Sequence, residues 1–320
     1  MVNSAYGKDF FREIRRTFNR FLSITLLLLL AAGFFSGIRA TQPDMQISAD
    51  RYMDETALFD LRVVSTQGVT AADAEILGDL DGVNRAVPGY SLDAVVAAGE
   101  DTAIVKLHDL SETMNVPELV SGRLPQAVGE CAAEQVLLTA LDLQVGDTVT
   151  VAQLAEGMEG ALKTDTLTIT GVVRSPLYMT KISHGTSALG SGSVAAFVIL
   201  PPETFDLDYF TDLYLSVDGA AALMAYDDAY GDRIGPVQTA VEDLAPAREQ
   251  ARYEELTAPA REEIDRAQRE LDDAGEKLAD GQAELDRAKQ DYADGVSALE
   301  QARQDLADAR AAYDQNYDNA

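Results

Sequence analysis

The sequence predicts an α+β protein with a single N-terminal transmembrane helix, an extracellular mixed α/β domain and a long C-terminal heptad-repeat helix that serves as a coiled-coil arm. Three features carry this prediction: an uncharged apolar run, a central stretch of short β-branched runs, and a seven-residue repeat near the end. The predicted parts are a cytoplasmic basic amphipathic helix at 1–20, a transmembrane helix at 21–40, an extracellular α+β core domain at 41–235 and a long coiled-coil helix at 236–320.

The apolar run from Phe21 to Ile38 contains no charged residue. A membrane-spanning helix needs roughly 17 to 25 mostly apolar residues, so this run is long enough to cross a bilayer. Basic residues precede the run and acidic residues follow it, which by the positive-inside rule predicts a cytoplasmic N-terminus. The protein is therefore expected in the cell membrane, with the residues after about 40 extracellular.

A cleaved signal peptide is the alternative explanation of the same run, since small residues surround Ala40. The run exceeds the usual apolar region of about 7 to 15 residues, and its basic leader is long for a signal. A retained anchor is therefore the preferred interpretation.

Composition excludes some partners and offers no disulfide. The formal net charge is −29 and the pI is near 4.2, so nucleic acid is not an expected partner. Hydrophobic residues make up 47% of the chain, enough for a packed core outside the membrane. The single cysteine, Cys131, cannot form an intrachain disulfide and is expected to be a small buried residue, with a reactive thiol or an intermolecular bridge as the alternatives.

Aromatic and basic residues alternate at helical spacing before the apolar run, which predicts an amphipathic helix in the inner headgroup layer. A charged flank that only sets the membrane topology is the alternative. The predicted membrane-interface residues are Phe10, Phe11, Arg12, Arg15, Arg16, Phe18 and Arg20.

The central region predicts strands at 58–64, 94–97, 102–107, 148–153, 167–173, 194–200 and 213–217, with a helix at 70–83 capped by Thr70. A Gly- and Ser-rich stretch at 178–193 predicts a surface loop, with a partner-contact site as the alternative. His108 and His184 have no second ligand at metal spacing, so exposed or packed histidines are expected and no metal site.

From about Pro236 the pattern is helical to the end, and its heptads have large a and small d positions, which predicts a left-handed coiled coil roughly 75 Å long. The predicted coiled-coil interface is Ile264, Ala267, Leu271, Ala274, Leu278, Gly281, Leu285, Ala288, Tyr292, Gly295, Leu299, Ala302, Leu306, Ala309 and Tyr313.

The helix that would cover these heptads is not evident in the sequence. An antiparallel return arm in a longer protein and self-association through this face are both expected possibilities. Glu and Asp greatly outnumber Lys and Arg along the arm, which disfavours parallel pairing of identical arms unless another contact offsets the repulsion.

The sequence contains no Walker-type phosphate loop, no H-E-x-x-H, no paired-cysteine metal spacing and no G-x-S-x-G. Acidic pairs such as Asp79 with Asp81 lie in helical or turn contexts where solvation accounts for them. The chain is therefore not expected to be an enzyme, and no catalytic residue, cofactor or metal is predicted.

Several segments resemble FtsX/MacB-like ABC transporter permeases: REIRRTFNRFLSI at 12–24, FFSGIRATQPDM at 34–45 and ADRYMDETALFDLRVVSTQGVT at 49–70. SGRLP at 121–125, GEC at 129–131 and GVVRSPLYM at 171–179 resemble the extracellular core of the long, coiled-coil-containing Gram-positive type. Members of that family typically have four spanning segments, and this chain has the first of them. An N-terminal portion of a permease is therefore expected.

The resemblance implies that ATP is hydrolysed by a separate ABC ATPase subunit, whose closure moves the outer domain for export of a substrate or control of an outside partner. It implies as partners that subunit, the rest of the permease or a second permease copy, the lipid bilayer, and an extracellular protein at the coiled coil. The alternative is a membrane-anchored coiled-coil adaptor without transport activity. An anchored enzyme is the least supported class because no catalytic motif is present.

Overall fold

The computed structural model describes residues 4–179 and 184–318 and confirms the predicted α+β class. It contains an N-terminal apolar helix, a mixed sheet domain and a long C-terminal helix. The chain forms two compact units, Met1–Pro246 and Ala247–Ala320.

The chain begins with two helices, α1 (Ser4–Arg16) and α2 (Phe18–Glu55), separated by a bend at Thr17. α2 is the one described helix that is long and apolar enough to cross a membrane. It extends well beyond the apolar run and includes Pro43. Proline removes one helical hydrogen bond and usually kinks or ends a helix, yet here the helix continues for twelve more residues.

A three-stranded antiparallel sheet follows, in the order β1-β10-β2, from β1 (Leu61–Val69), β10 (Phe210–Val217) and β2 (Val83–Gly89). The predicted helix is present as α3 (Ala71–Gly78), but it ends before the predicted 83, because Val83 begins β2 and pairs with β10. Thr70 caps it as predicted: its Oγ1 accepts from the Asp73 amide, and the Asp73 carboxylate accepts from the Thr70 amide. Leu77 of α3 packs with Leu213 and Leu215 of β10 in a small core.

The larger sheet has seven strands in the order β5-β8-β6-β9-β4-β3-β7, and β7 also pairs with β8, so the sheet curls back on itself. The β4–β9 and β6–β8 pairs are parallel and the others antiparallel. The strands are β3 (Ser91–Ala98), β4 (Asp101–Asp109), β5 (Glu118–Gly122), β6 (Glu130–Glu134), β7 (Thr148–Leu154), β8 (Thr166–Arg174) and β9 (Ala196–Leu200), with α4 (Gln135–Ala140) after β6.

The largest core lies against this sheet and includes Leu107, Ile169 and Val198, all fully buried. Cys131 belongs to the same core and is a free buried thiol, as the sequence predicted. Burial raises the pKa of its thiol to about 12, so it is not a reactive group at neutral pH. A smaller cluster around Phe197 includes Ala132, Val173 and Ile199.

The last element is α5 (Asp228–Asp318), a helix of 91 residues. The prediction that helical structure starts near Pro236 was eight residues too late. Tyr230, Ile234 and Val237 pack with Val217 in one cluster, so burial against β10 extends the helix toward its N-terminus. Pro236 is tolerated inside the helix, which the sequence pattern did not predict.

Candidate functional site

The predicted membrane-interface residues are divided between α1 and the first turn of α2, with Phe18 and Arg20 on the second helix. Phe10 and Phe11 are 62% and 72% exposed, and their rings meet edge to face at 6.0 Å. These aromatic side chains have no protein core to enter among the described residues, which leaves them available to a lipid surface.

The outer end of α2 is attached to the domain by backbone hydrogen bonds. Thr56 Oγ1 donates to the Tyr52 carbonyl at 2.6 Å and closes the last turn. The Val116 and Asn115 amides donate to the Thr56 and Ala57 carbonyls, both at 2.9 Å. The Asn115 side chain accepts from the Phe59 amide at 3.0 Å. The end of α2 is therefore part of the folded domain, and these hydrogen bonds restrict its rotation relative to the domain.

Two aspartates connect this helix end to the start of α5. Asp50 on α2 accepts a hydrogen bond from the Ala225 amide at 2.7 Å, just before α5. Asp60, between α2 and β1, accepts from the Tyr230 hydroxyl and from the Val217 amide, both at 2.6 Å. Burial, followed by the hydrogen bond to Asp60, raises the pKa of the Tyr230 hydroxyl, which keeps it a donor at physiological pH. We call Asp50, Asp60, Ala225 and Tyr230 the junction.

Replacing Asp60 by Asn is expected to cost about 2 kcal/mol in the free energy of unfolding. The amide has one acceptor oxygen, so the Val217 amide keeps its acceptor only when the NH₂ group faces the Tyr230 hydroxyl, which then accepts a hydrogen bond instead of donating one, and both bonds lose their charge assistance. Tyr230→Phe is the matched control, because it removes one donor and leaves the other bond in place; about 1 kcal/mol is expected. Urea unfolding of the full chain in detergent measures both. Equal losses would contradict a double role for Asp60.

An ion pair braces the strand next to the junction. Arg62 of β1 contacts Asp212 of β10 at 2.5 Å, and the Asp212 side chain is 1% exposed. Thr211 also donates to Asp212 at 2.7 Å. A buried carboxylate needs partners of this kind, because an unpaired charge in the interior is costly. The pair therefore holds the antiparallel register of the two strands that follow α2 and precede α5.

The SGRLP and GEC segments, which lie between β5 and β6, are joined by an ion pair. Arg123 makes a bidentate pair with Glu130, and Glu130 also accepts from the Gln126 amide at 2.9 Å. The hydrogen bond from Arg123 lowers the pKa of Glu130 to about 2. Gly122 lies opposite Gly171 of β8, where the two backbones approach closely. The SGRLP and GEC segments thus fix the backbone geometry between β5 and β6.

Both histidines are buried, in polar contacts at one end of the large sheet. His108 Nε2 lies 2.7 Å from the Tyr178 hydroxyl, and His184 Nε2 lies 2.8 Å from the Glu134 carboxylate. Tyr178 stacks on Phe197 with ring centroids 4.9 Å apart. Burial lowers the pKa of His108 to about 3, so this ring is neutral at physiological pH.

The part of the chain that the structure describes contains no group of three His, Cys, Asp or Glu residues that could hold a metal. The loop predicted at 178–193 lies partly outside the described residues, at 180–183. Beside the histidines, a cavity of about 880 Å³ separates α2 from the sheet and is lined by Tyr52, Glu134, Tyr178 and Phe197, among others.

The predicted coiled-coil residues all lie on α5, and their large side chains form one exposed stripe, which we call the seam. Leu271, Leu278 and Leu306 are 66%, 75% and 70% exposed. Continuous exposed apolar side chains on a helix are typical of a surface that another helix covers. The structure confirms the helix, and the covering element stays a prediction.

Sequence reasoning did not identify the junction. Asp60 and Tyr230 are separated by 170 positions, and each looks like an ordinary surface residue in its local pattern. The sequence offered one weak indication of the role of Asp60, namely an acidic residue directly before the strand that follows the apolar helix.

Comparison with family models and with curated proteins found no match. Solved structures do match, and three are the extracellular domain of the noncanonic ABC-type transporter YknZ from Gram-positive bacteria, the periplasmic region of MacB from Actinobacillus actinomycetemcomitans, and a domain of a permease protein from Porphyromonas gingivalis.

The YknZ domain is 12% identical, with 53% of this chain and 87% of that chain covered and a TM-score of 0.32. The MacB region is 11% identical, with 57% and 75% covered and a TM-score of 0.32. The permease domain is 18% identical, with 49% and 69% covered and a TM-score of 0.31. At such values, function is inferred from this chain's own residues and geometry.

Proposed function

We propose that this chain is a permease subunit of an ABC transporter of the FtsX/MacB type. In this proposal the subunit passes motion driven by a separate ATPase from the membrane to an extracellular domain. The junction is the observation that carries the proposal: one unbroken helix contains the apolar run and ends in hydrogen bonds to the sheet and to the start of α5. A helix attached in this way moves the domain when it moves.

The charges around α2 support a cytoplasmic N-terminus. Basic residues on α1 lie at the inner end of the apolar run, where they can contact anionic lipid headgroups. The domain beyond α2 is strongly acidic, which favours solution over an anionic membrane surface. In this arrangement α1 lies on the inner surface, the side on which an ATP-hydrolysing subunit binds.

The topology is testable with single cysteines, since the native Cys131 is buried and unreactive. Tyr6→Cys and Asp101→Cys place thiols at exposed positions before and after the apolar helix. In intact cells, a membrane-impermeant maleimide should label the second variant and label the first only after the membrane is opened. Labelling of both from outside would contradict the proposed orientation.

The seam supports a second candidate function, a membrane-anchored coiled-coil adaptor without transport. It is an exposed apolar surface suited to binding a helix. Purification of the tagged full chain from native membranes distinguishes the two functions. A stoichiometric P-loop ATPase is expected for a permease, and it should be lost from an R12E/R15E/R16E variant if α1 supports that contact. Membranes that yield the intact chain with no ATPase would favour the adaptor.

A further inference from the structure

The cavity between α2 and the large sheet has the size and the lining of a small-molecule site. Its volume is about 880 Å³. Pockets that bind small molecules are usually about 300 to 1,000 Å³ and mostly apolar, with a few polar groups that converge on the ligand. Ala49 and Tyr52 of α2, Val172 of β8 and Phe197 of β9 line this cavity. The junction does not use it, so its chemistry calls for an explanation of its own.

The charged side chains of the lining do not balance one another. They are Glu118, Glu134 and Arg174. Glu118 and Arg174 are opposite each other in the β5–β8 pair, and an Arg174 guanidinium nitrogen lies 3.6 Å from the Glu118 carboxylate. Since these two charges offset each other, Glu134 leaves the lining with an excess negative charge. The charge of the lining therefore favours a cationic ligand over an anionic one.

Glu134 is placed where a ligand cation would gain most from its charge. It is the last residue of β6, and its side chain is only 14% exposed. The Glu134 carboxylate lies 2.8 Å from His184 Nε2, and a neutral imidazole adds no charge there. A carboxylate has about four acceptor positions, so it can accept from a ligand N–H group beside His184. Because water is largely excluded, a hydrogen bond between opposite charges is stronger here than at an open surface.

Aromatic and aliphatic side chains form the rest of the site. Tyr178 stacks on the buried ring of Phe197. Aromatic rings attract an ammonium group and also cover apolar parts of a ligand. Val120, Val136 and Met179 line the cavity and are themselves exposed, so the apolar lining continues to its opening. A ligand that suits this lining has an apolar body as well as a positive charge.

We propose that this cavity binds a small molecule in which an apolar group is joined to an ammonium group. The ammonium group contacts the Glu134 carboxylate, and the apolar group packs against Tyr52, Tyr178 and Phe197. A carboxylate in place of the ammonium would put a second negative charge beside Glu134 and is disfavoured. The proposal concerns binding alone, so it does not depend on the proposed permease function.

Three compounds with the same apolar body test the charge preference. They are 4-phenylbutylamine, 4-phenylbutanol and 4-phenylbutyrate, which are positive, neutral and negative. Titration calorimetry at pH 8, with the full chain in phosphatidylcholine nanodiscs and empty nanodiscs as the baseline, measures each dissociation constant. The amine should bind roughly tenfold more tightly than the alcohol, because it adds a charge-assisted hydrogen bond, and the carboxylate should bind most weakly. This order requires no variant.

Two variants locate the binding. Glu134→Gln keeps the shape of the side chain and removes its charge, so the dissociation constant of the amine should rise roughly tenfold while that of the alcohol stays the same. Glu203→Gln is the matched control, since Glu203 is exposed, lies outside the lining and loses the same charge without an expected effect. Thr139→Trp places a large ring at an exposed position of the lining and should weaken binding of both compounds. Circular dichroism checks that each variant is folded.

Several results would overturn the proposal. Equal dissociation constants for the three compounds, or tightest binding of the carboxylate, would exclude selection by Glu134. Absence of binding by all three would exclude the site. If folded E134Q binds the amine as the wild type does, another residue provides the charge. If T139W binds both compounds unchanged, they bind outside this cavity.

Discussion

Replacing His108 by Gln should make the domain more resistant to acid. The pKa of His108 falls to about 3 in the folded state because burial disfavours the imidazolium, whereas an exposed histidine has a pKa near 6.5. The unfolded chain therefore binds a proton below pH 6.5 that the folded chain refuses until about pH 3. Between these values the domain becomes less stable as the pH is lowered. The native histidine should reduce the free energy of unfolding by about 2 kcal/mol when the pH falls from 7.5 to 5.

The measurement is the free energy of unfolding of wild type and H108Q in urea at both pH values. The chain has no tryptophan, so tyrosine fluorescence is a suitable signal for the domain. The difference between the two proteins should change by about 2 kcal/mol in favour of the variant as the pH falls. Gln keeps a polar group beside the Tyr178 hydroxyl. A cost of the substitution that is the same at both pH values does not affect the change of this difference with pH.

The neighbouring Asp109 provides a control of opposite sign. Burial raises its pKa to about 6, so the folded state takes up a proton that the unfolded state does not bind until about pH 3.8. This carboxyl therefore adds stability as the pH falls from 7 to 4. Asp109→Asn keeps an oxygen for the Tyr90 amide and should lose that gain. A change of both variants in the same direction would contradict the direction of the pKa shift at His108 or at Asp109.

Replacing Gly171 by Ala should destabilise the large sheet by about 3 kcal/mol or more. A Cβ at this position would overlap the Arg123 carbonyl oxygen and lie 3.0 Å from the Ser121 carbonyl oxygen. These are backbone atoms at the β5–β8 contact and cannot rotate away as a side chain does. Relief of the clash requires the two strands to separate, with loss of ladder hydrogen bonds.

Gly231→Ala is the matched control for this substitution. Gly231 lies near the start of α5, is exposed, and a Cβ there meets nothing within 4 Å. Alanine is favoured over glycine in a helix, so a gain of about 1 kcal/mol is expected. Urea unfolding of the full chain compares the two variants. Similar stability for G171A and wild type would mean that the two strands lie further apart in solution.

The sequence supported those parts of the fold whose signal is repeated locally. The heptads of α5, the uncharged run of α2 and the β-branched runs of β7 and β8 each extend over several residues, and each predicted element is present. Thr70 also indicated its helix, because its cap needs only Asp73 three positions later. Such patterns are decided by neighbours in sequence, so no knowledge of the tertiary structure is required.

Elements that depend on distant partners were missed. β5 is exposed along its length and β6 is only five residues long, so neither has a distinct pattern; both exist because β8 pairs with them. The burial of His108 and His184 is set by Tyr178, Phe197 and Glu134, which come from other segments. For the same reason Asp60 could not be recognised as a junction residue.

Under the proposed function, the unbroken course of α2 past Pro43 would let this helix act as a lever. About 17 residues separate Ile38 from Glu55, which at 1.5 Å per residue is roughly 25 Å of rigid rod. A tilt of about ten degrees at the membrane surface then displaces the outer end by roughly 4 Å, close to the spacing of neighbouring strands. A small tilt of α2 inside the bilayer would thus produce a larger displacement at the sheet, and bending of the helix at Pro43 would reduce that displacement.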